Sequence, residues 1–540
     1  MRPCIGRAAN LFRAALAAHL CIAVLCALAT AQEPFRPQFH FSPAKNWIND
    51  PNGPVYYKGE YHLFYQYNPF GDEWGHMSWG HAISRDLVHW RRLPVAIPEA
   101  NGVMAFSGSV VVDTRNSSGL CSGSEPEDHS CLVAIYTGYR AAAPASNRSA
   151  AQEQNQSQYL AYSNDRGRTW REYEGNPVID LHLADFRDPK VFWHTPTRKW
   201  VMVTVLAPEH KVRFFGSTDL KHWTALGDFG PAGATGGAWE CPDLFPLPVG
   251  GNPRDVRWVL SINLNPGGVA GGSGNQYFVG RFDGKTFTID NPAADARSTA
   301  DGSALWADYG ADFYASTSFS DIPASDGRRI WVGWLDNWQY AARLPTHPWR
   351  GQQSIPRELG LKRFPDGIRL VQQPVRELQA LRGAPITIRN VSIVDADRLL
   401  EARGVRGNTF EVEAEIEPGS AAEFGFLVRR SARDDVEVTQ IGVNPAKSRI
   451  FLDRGRSGNV SFDPAFPARH SAPLDLTGGQ PVKIHFFVDR SSVEVFGDEG
   501  ESVVSDLIFP PPASDGFELY SKGGEARIVK LTVWQLHGIW

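Results

Sequence analysis

The chain has 540 residues, which exceeds one small hydrophobic core and predicts about two to four domains. A charged fraction of 21%, a net charge of −5 and the lack of any lysine- or arginine-rich block give no support to nucleic-acid binding. Its 17 Trp, 30 Phe and 15 Tyr residues suit both β-strands and sugar-binding surfaces.

The N-terminus has the pattern of an export signal. Three arginines precede the apolar run 14–29, and Ala29-Thr30-Ala31 offers a small-x-small cleavage site before Gln32. These features predict a signal peptide over residues 1–31 and a secreted mature chain, extracellular or periplasmic. No later stretch is long and apolar enough to span a bilayer, so we expect no membrane partner.

The cysteines give little evidence of metal binding. Three of the six lie within the predicted signal peptide, and Cys121 and Cys131 lie ten residues apart. In an oxidising compartment these two either form a local disulfide or stay free, and the spacing leaves both open. No Cys/His cluster has zinc-ligand spacing, so we expect no metal.

Short alternating runs separated by Gly, Pro, Asn and Asp predict an all-β fold. The first clear hairpin joins residues 55–57 to residues 61–67 through Lys58-Gly59-Glu60. On its second strand the tyrosines at 61, 65 and 67 share one face with Leu63.

One turn pattern recurs through the first two-thirds of the chain. A polar turn closed by an aromatic residue occurs at residues 84–90, 163–170 and 217–223, and more weakly at 282–287. Repeated strand units with one turn motif per unit are typical of a β-propeller. Together with the first hairpin, these units predict about five blades over residues 35–360.

The pattern changes after residue 360. Residues 361–384 have the composition of a connecting segment, and residues 385–540 alternate charged and apolar residues without further Trp-closed turns. A hairpin at residues 482–496 and the overall alternation predict a β-sandwich. No low-complexity linker separates the two parts, so we expect them to pack together.

Three carboxylates stand in similar contexts. Asp50, Asp188 and Glu240 each lie one or two residues before a proline and beside an aromatic residue or an arginine. The innermost strands of a propeller converge on its axis, so residues on different blades can meet at one end of the channel. Paired carboxyls are the groups that glycosidases use.

These motifs resemble the signature set of glycoside hydrolase family 32, the β-fructofuranosidases. The resemblance rests on WINDPNG at residues 47–53, FSGS at 106–109, RDP at 187–189, ECP at 240–242 and FFVDRSSVEVF at 486–496. It covers the chain from about residue 35 to its end, with the motifs in family order. It implies a five-bladed β-propeller followed by a C-terminal β-sandwich.

The resemblance also implies roles for individual residues. Asp50 matches the nucleophile, Glu240 the general acid/base, and Asp188 a stabiliser that holds fructosyl hydroxyls. It implies no cofactor, because carboxylates suffice for the chemistry. The substrate-binding residues that it implies are Asn49, Gln66, Trp74, Phe106, Ser107, Arg187 and Trp334. The segment around Trp334, residues 333–338, departs modestly from the family pattern.

Competing interpretations are other propeller enzymes or a lectin. The turn at residues 163–170 resembles the Asp-box of sialidases, but those enzymes need three clustered arginines and a Tyr nucleophile. Inverting arabinan-degrading propellers lack the WINDPNG and ECP motifs. A non-catalytic fructan-binding lectin is disfavoured because all three carboxylates are intact.

Within the family, residues 74–82 and 265–278 look most like exo-acting levanases and inulinases. The favoured function is therefore release of terminal fructosyl units from fructans, and from sucrose. An invertase and a fructosyltransferase remain the alternatives, and the sequence fixes neither the linkage preference nor the oligomeric state.

Overall fold

The computed structural model describes residues 33–122, 129–142, 154–290, 304–365, 367–432, 436–476 and 479–540. The predicted signal peptide lies outside these ranges. Regular structure within them is almost entirely β-strand, which confirms the predicted fold class. No helix in the described ranges is long and apolar enough to cross a bilayer.

The first part of the chain is a five-bladed β-propeller. Blade one contains β1 (Asn46–Tyr57), β2 (Glu60–Tyr67), β3 (Ser78–Ser84) and β4 (Arg91–Ile97). Blade two contains β5 (Met104–Asp113), β6 (Cys131–Arg140), β7 (Asn155–Ser163), β8 (Arg171–Glu172) and β9 (Ile179–Leu183). Blade three contains β10 (Phe186–His194), β11 (Lys199–Leu206), β12 (Lys211–Ser217) and β13 (Thr224–Phe229).

The last two blades share one sheet. Blade four contains β14 (Ala238–Val249), β15 (Asn252–Asn265), β16 (Gly274–Phe282), β17 (Phe287–Ile289) and β18 (Leu305–Trp306). Blade five contains β19 (Tyr314–Ser318), β20 (Arg329–Trp334), β22 (Arg357–Phe364) and β23 (Gly367–Pro374), and β21 (Trp349–Arg350) lies between β20 and β22 in the chain. A parallel pairing of β14 with β22 joins the two blades, and β21 pairs instead with β1 of blade one.

The innermost strands form a closed ring around the channel. Each of β1, β5, β10, β14 and β19 contacts the next, and β19 contacts β1 again. The parallel pairing of β21 with β1 fastens the last blade to the first. The ring therefore brings residues that are far apart in sequence to one axis.

The recurring turns connect the third and fourth strands of blades one to four. In each turn an aspartate Oδ1 accepts hydrogen bonds from backbone N–H groups two to four residues further on, which closes the turn. The aspartates are Asp86, Asp165, Asp219 and Asp283. The repeat that the sequence shows is thus the outer corner of each blade.

The second part is a β-sandwich of two antiparallel sheets. Its elements are β24 (Ile386–Ser392), α1 (Ile393–Ala402), β25 (Phe410–Glu417), β26 (Glu423–Arg430), β27 (Val438–Asn444), β28 (Arg449–Arg456), β29 (Arg469–Pro473), β30 (Val482–Asp489), β31 (Ser492–Gly497), β32 (Ser502–Leu507), β33 (Gly516–Lys522) and β34 (Arg527–Gln535). One sheet has the order β24-β34-β25-β30-β31-β32, and the other β29-β28-β27-β26-β33. Single 3-10 turns occur at Ala207–Glu209, Ala341–Arg343, Arg376–Leu381 and Pro445–Lys447.

The segment 361–384, expected to be a connection, is mostly part of the propeller. It carries the end of β22, all of β23 and the 3-10 turn Arg376–Leu381. The composition of this segment resembles that of a connection because the outer strand β23 is half-exposed and needs few apolar residues. The predicted bounds of the signal peptide, residues 1–31, and of the sandwich, residues 385–540, stay predictions.

Buried charges join the two parts. Arg357 of β22 donates to Asp308 of the propeller and to Glu494 of the sandwich, at 2.9 and 2.5 Å. His40 lies between two sandwich carboxylates, with Nδ1 2.8 Å from Asp489 and Nε2 2.9 Å from Glu494. All of these side chains are almost fully buried, so each charge depends on its partners.

Replacing His40 with Gln should destabilise the protein in a pH-dependent way. Burial alone lowers the pKa of His40, but Asp489 and Glu494 raise it to about 9. A raised histidine pKa stabilises fully below about pH 6.5 and loses its effect as the pH rises through 9. We expect H40Q to lower the free energy of unfolding by about 3 kcal/mol at about pH 6, and by less at about pH 9.5.

Urea unfolding at the two pH values measures this difference. The matched control is His222→Gln, because the His222 side chain is 85% exposed and its one ion pair within the described ranges is with Asp219. If H40Q lowers the free energy of unfolding by the same amount at both pH values, the assignment of a charged His40 is contradicted.

Candidate active site

In all five innermost strands, the regular pairing with the next strand is interrupted near the same end of the channel. The pairing register shifts at residues 48–51 and 52–55 of β1, 105–108 of β5, 187–190 of β10, 240–243 of β14 and 314–317 of β19. Such bulges bend a strand and re-aim a side chain. Each of the three predicted carboxylates lies at or beside one of these shifts.

The prolines of the motifs explain the breaks in three strands. Pro51, Pro189 and Pro242 have no backbone N–H to give to a ladder. Two neighbouring residues, Asp188 and Cys241, adopt φ values of +62° and +43°, which non-glycine residues rarely do. Backbone strain of this kind is concentrated at functional sites.

Asn52-Gly53 lies within β1, although an Asn-Gly dipeptide is typical of turns. Gly53 has a φ of +46°, and a Cβ there would stand 2.5 Å from Val110 Cγ2. Only glycine fits this approach to β5. The dipeptide therefore allows a bulge in an inner strand rather than a surface turn.

The Cys241 thiol joins two of the carboxylates. Its Sγ lies 3.3 Å from Asp50 Oδ2 and 3.6 Å from Asp188 Oδ2, and its backbone N–H donates to Asp188 at 2.9 Å. Burial raises the pKa of this thiol well above its ordinary value, and the neighbouring carboxylates add to that effect. Cys241 is therefore a protonated thiol, whose single proton can be donated to either carboxylate.

Asp50 is buried, with three donors around its carboxylate. Asn49 Nδ2 donates to Oδ1 at 3.0 Å, and Ser107 Oγ donates to Oδ2 at 2.6 Å, on the same oxygen as Cys241. Trp47 Nε1 donates to Asn49 Oδ1 at 2.8 Å, which fixes the Asn49 amide. The donors favour an ionised Asp50.

Glu240 is the most exposed of the three carboxylates, with its side chain 22% exposed. Arg187 Nε donates to its Oε1 at 3.1 Å, and the buried Tyr314 hydroxyl donates to its Oε2. Arg187 also donates to Asp185 at 2.8 Å and stands 3.9 Å from Asp188. One guanidinium thus faces two of the predicted catalytic carboxylates.

Asp50 and Asp188 differ from a free aspartate in their pKa values. Burial raises the pKa of Asp50, the Ser107 hydrogen bond opposes it, and the Glu240 charge adds to it. Burial raises the pKa of Asp188 to about 7; Arg187 opposes this shift, and the charges of Glu240 and Asp50 reinforce it. Negative charges crowded in a buried site resist ionising together.

These groups line one cavity of about 370 Å³. Six of the seven predicted binding residues also line it: Asn49, Gln66, Trp74, Phe106, Ser107 and Arg187. Gln66 is buried and donates to the Ala105 carbonyl at 3.0 Å, while Trp74 at the rim is 45% exposed. Arg187 is the one arginine among the described lining residues, so these residues do not supply the three clustered arginines that a sialidase needs.

The seventh, Trp334, does not line the cavity. It is fully buried behind Trp338, with ring centroids 4.8 Å apart, and packs on Trp47 as well. Trp338 lines the cavity instead. The prediction was wrong about direct contact because β20 ends at Trp334, and the loop after it carries Trp338 over that ring.

Several site residues carried no sequence signal. Tyr314 begins the short strand β19, Tyr-Ala-Ser-Thr-Ser, which matches none of the motifs, and only the ring of inner strands brings it to Glu240. Gln156 and Tyr139 come from β7 and β6, the central strands of blade two, where alternation alone does not show which end of a blade they reach.

A possible cation-binding geometry occurs elsewhere. Within the described ranges, ligand atoms of Glu411, Glu413 and His485 lie within 4.8 Å of one another. Arg382 donates to both glutamates, at 2.5 and 2.8 Å. The carboxylates there already have a cationic partner, and the cluster lies in the sandwich, away from the cavity.

Comparisons with known proteins agree with this geometry. Residues 40–374 match the glycosyl hydrolases family 32 N-terminal domain, and residues 377–535 match the glycosyl hydrolases family 32 C-terminal domain. A levanase of Bacillus subtilis is 49% identical over 514 residues, covering 94% of this chain and 71% of the relative. An extracellular exo-inulinase of Aspergillus awamori is 42% identical over 527 residues, covering 94% and 96%.

Solved structures show the same architecture. The exo-inulinase of Aspergillus awamori superposes with a TM-score of 0.84 at 40% identity, covering 94% of this chain and 99% of that one. A β-fructofuranosidase of Schwanniomyces occidentalis, complexed with fructosyl-erythritol, gives a TM-score of 0.79 at 30% identity, covering 94% and 98%. The chain belongs to glycosyl hydrolase family 32.

Proposed function

We propose that this protein is a retaining exo-glycosidase that releases terminal β-D-fructofuranosyl units from fructans such as levan and inulin, and from sucrose. The observation that carries the proposal is the meeting of Asp50 and Asp188 at one thiol, with Glu240 lining the same cavity. Relatives named levanase and extracellular exo-inulinase support the substrate class.

In the first step the Asp50 carboxylate attacks the anomeric C2 of the terminal fructosyl unit. The C2–O bond to the rest of the chain breaks as Glu240 gives its proton to the leaving oxygen. In the second step Glu240 takes a proton from water, the resulting oxygen nucleophile attacks C2, and Asp50 leaves as a carboxylate. Asp188 holds fructosyl hydroxyls throughout.

The surroundings of the carboxylates suit this division of roles. Three donors on Asp50 stabilise its charge before attack and after release, against the effect of burial. Glu240 is more exposed, so water can reach it for the second step. A cavity of about 370 Å³ suits a terminal unit and its neighbour more than a continuous chain, which supports exo-action.

We also propose that the protein is secreted. The pattern of residues 1–31 predicts a signal peptide, and relatives are named extracellular. Cys121 and Cys131, whose pairing the sequence left open, form a disulfide in the structure, as suits an oxidising compartment.

The proposed roles predict the effect of two substitutions. Wild-type protein should release fructose, as the early product, from levan, inulin and sucrose. Asp50→Ala and Glu240→Ala should each lower kcat by at least about a thousandfold, because each removes a group that acts on the breaking bond. Initial rates with product lengths measure both, and the thermal midpoint of each variant shows whether it folds.

Wild-type-like rates in either folded variant would contradict the roles. A wild-type protein that binds these fructans but releases no fructose from any of them would favour a lectin instead.

The Asp188 carboxyl should make stability fall as the pH rises. Its folded pKa of about 7 lies above the ordinary 3.8, so its contribution is complete below about pH 3.8 and is lost as the pH rises through 7. The free energy of unfolding of the wild type should therefore decline between about pH 4 and pH 7.5 relative to Asp188→Asn. Urea unfolding across this range checks it, and equal pH slopes for both proteins would contradict it.

A further inference from the structure

A second groove, which we name the blade-two groove, lies beside the catalytic cavity. Its volume is about 380 Å³, close to that of the cavity. The residues that matter for its chemistry are Tyr136, Arg140, Tyr159, Glu172, Tyr173 and Glu174. Neither the proposed mechanism nor the predicted binding residues use any of them.

The groove and the cavity share the same end of blade two. Ala105 lines the groove and Phe106 lines the cavity, just as Arg140 lines the groove and Tyr139 the cavity. Successive residues of a strand point to opposite faces, so the two depressions lie on either side of β5 and β6. The stacked rings of Phe106 and Tyr139, 4.6 Å apart, line the cavity side of this division.

The groove has the side chains that sugar sites use. The partly exposed Tyr159 and Tyr173 offer ring faces, while the Tyr136 ring is buried beneath them. The Arg140 guanidinium, the tyrosine hydroxyls and two glutamates offer donors and acceptors. Tyr136 donates weakly to Glu172 at 3.4 Å. Within the described ranges, Arg140 has no ion pair, and the hydroxyls of Tyr159 and Tyr173 have no hydrogen bond. These groups are available to a ligand.

The groove is held in shape without a ligand. Tyr136 and Tyr159 lie on the central strands β6 and β7, with ring centroids 5.9 Å apart. Asn176 donates to the Leu160 carbonyl at 2.9 Å and accepts from the Leu160 N–H at 2.7 Å, which anchors the segment that carries Tyr173. A preformed site of this kind loses little entropy on binding.

We propose that the blade-two groove binds fructosyl units of the substrate chain that lie several units from the scissile bond. The proposal rests on the proposed function for the identity of the chain. A neutral polyhydroxylated occupant fits, because one arginine faces two glutamates and a polyanion would meet net negative charge. The groove would then favour polymeric fructans over sucrose, which is too short to reach from the cavity.

The test compares Tyr159→Ala and Arg140→Ala with the wild type on levan, inulin and sucrose. Tyr162→Ala is the matched control, because Tyr162 is half-buried on the same strand but packs on the core of blades two and three. We expect both groove variants to raise KM for levan, inulin or both by about fivefold, with kcat and all sucrose constants unchanged. Tyr162→Ala should leave KM and kcat unchanged for all three substrates. Thermal midpoints show whether each variant folds.

Unchanged KM for both polymers in a folded groove variant would overturn the proposal, and so would an equal loss on sucrose. Retardation in native gels that contain levan or inulin separates this proposal from the proposed function. If the wild type releases no fructose, weaker retardation of Tyr159→Ala than of wild type still supports the groove. Equal retardation of the two rejects it.

Discussion

Interrupted pairing at one end of the five inner strands is the constraint on which the site depends. A regular ladder would direct alternate side chains toward the neighbouring blades, whereas the bulges turn Asp50, Asp188 and Glu240 toward one cavity. The proline after each carboxylate position cannot donate to a ladder, so the sequence itself enforces the break. The cost is strained backbone at Asp188 and Cys241, which the closed ring of blades holds in place.

The sandwich supports this arrangement from behind. Glu494 accepts from the Ile355 N–H at 2.9 Å and from Arg357, which fixes the segment before β22. Gln353 lies two residues before Ile355, and its Nε2 donates to the Asn49 carbonyl at 2.8 Å. Asn49 directly precedes Asp50 in the chain. Hydrogen bonds made by the segment 353–357 thus connect the buried charges of the sandwich to the backbone of Asn49, next to the proposed nucleophile. They give the second domain a structural role in the site of the first.

The sequence predicted what local patterns and family motifs carry. The hairpin of β1 and β2, the propeller corners and the hairpin of β30 and β31 follow from alternation and turn residues, and the motifs identified the three carboxylates. Contacts that depend on the third dimension were out of reach. Tyr314 reaches Glu240 only because β19 neighbours β14, and Trp338 replaces Trp334 in the cavity because a loop turns after β20. The outer strand β23 was missed because half-exposed strands have weak patterns.

Trapping the covalent fructosyl-enzyme intermediate directly tests whether Asp50 is the nucleophile. A fructosyl donor with an activated leaving group would be mixed with Glu240→Ala, in which the second step lacks its base, and the digested protein analysed by mass spectrometry. We expect one added hexosyl unit on the peptide that contains Asp50, at the Asp50 side chain. A hexosyl unit on Asp188, or turnover that yields the inverted anomer with no adduct, would contradict it.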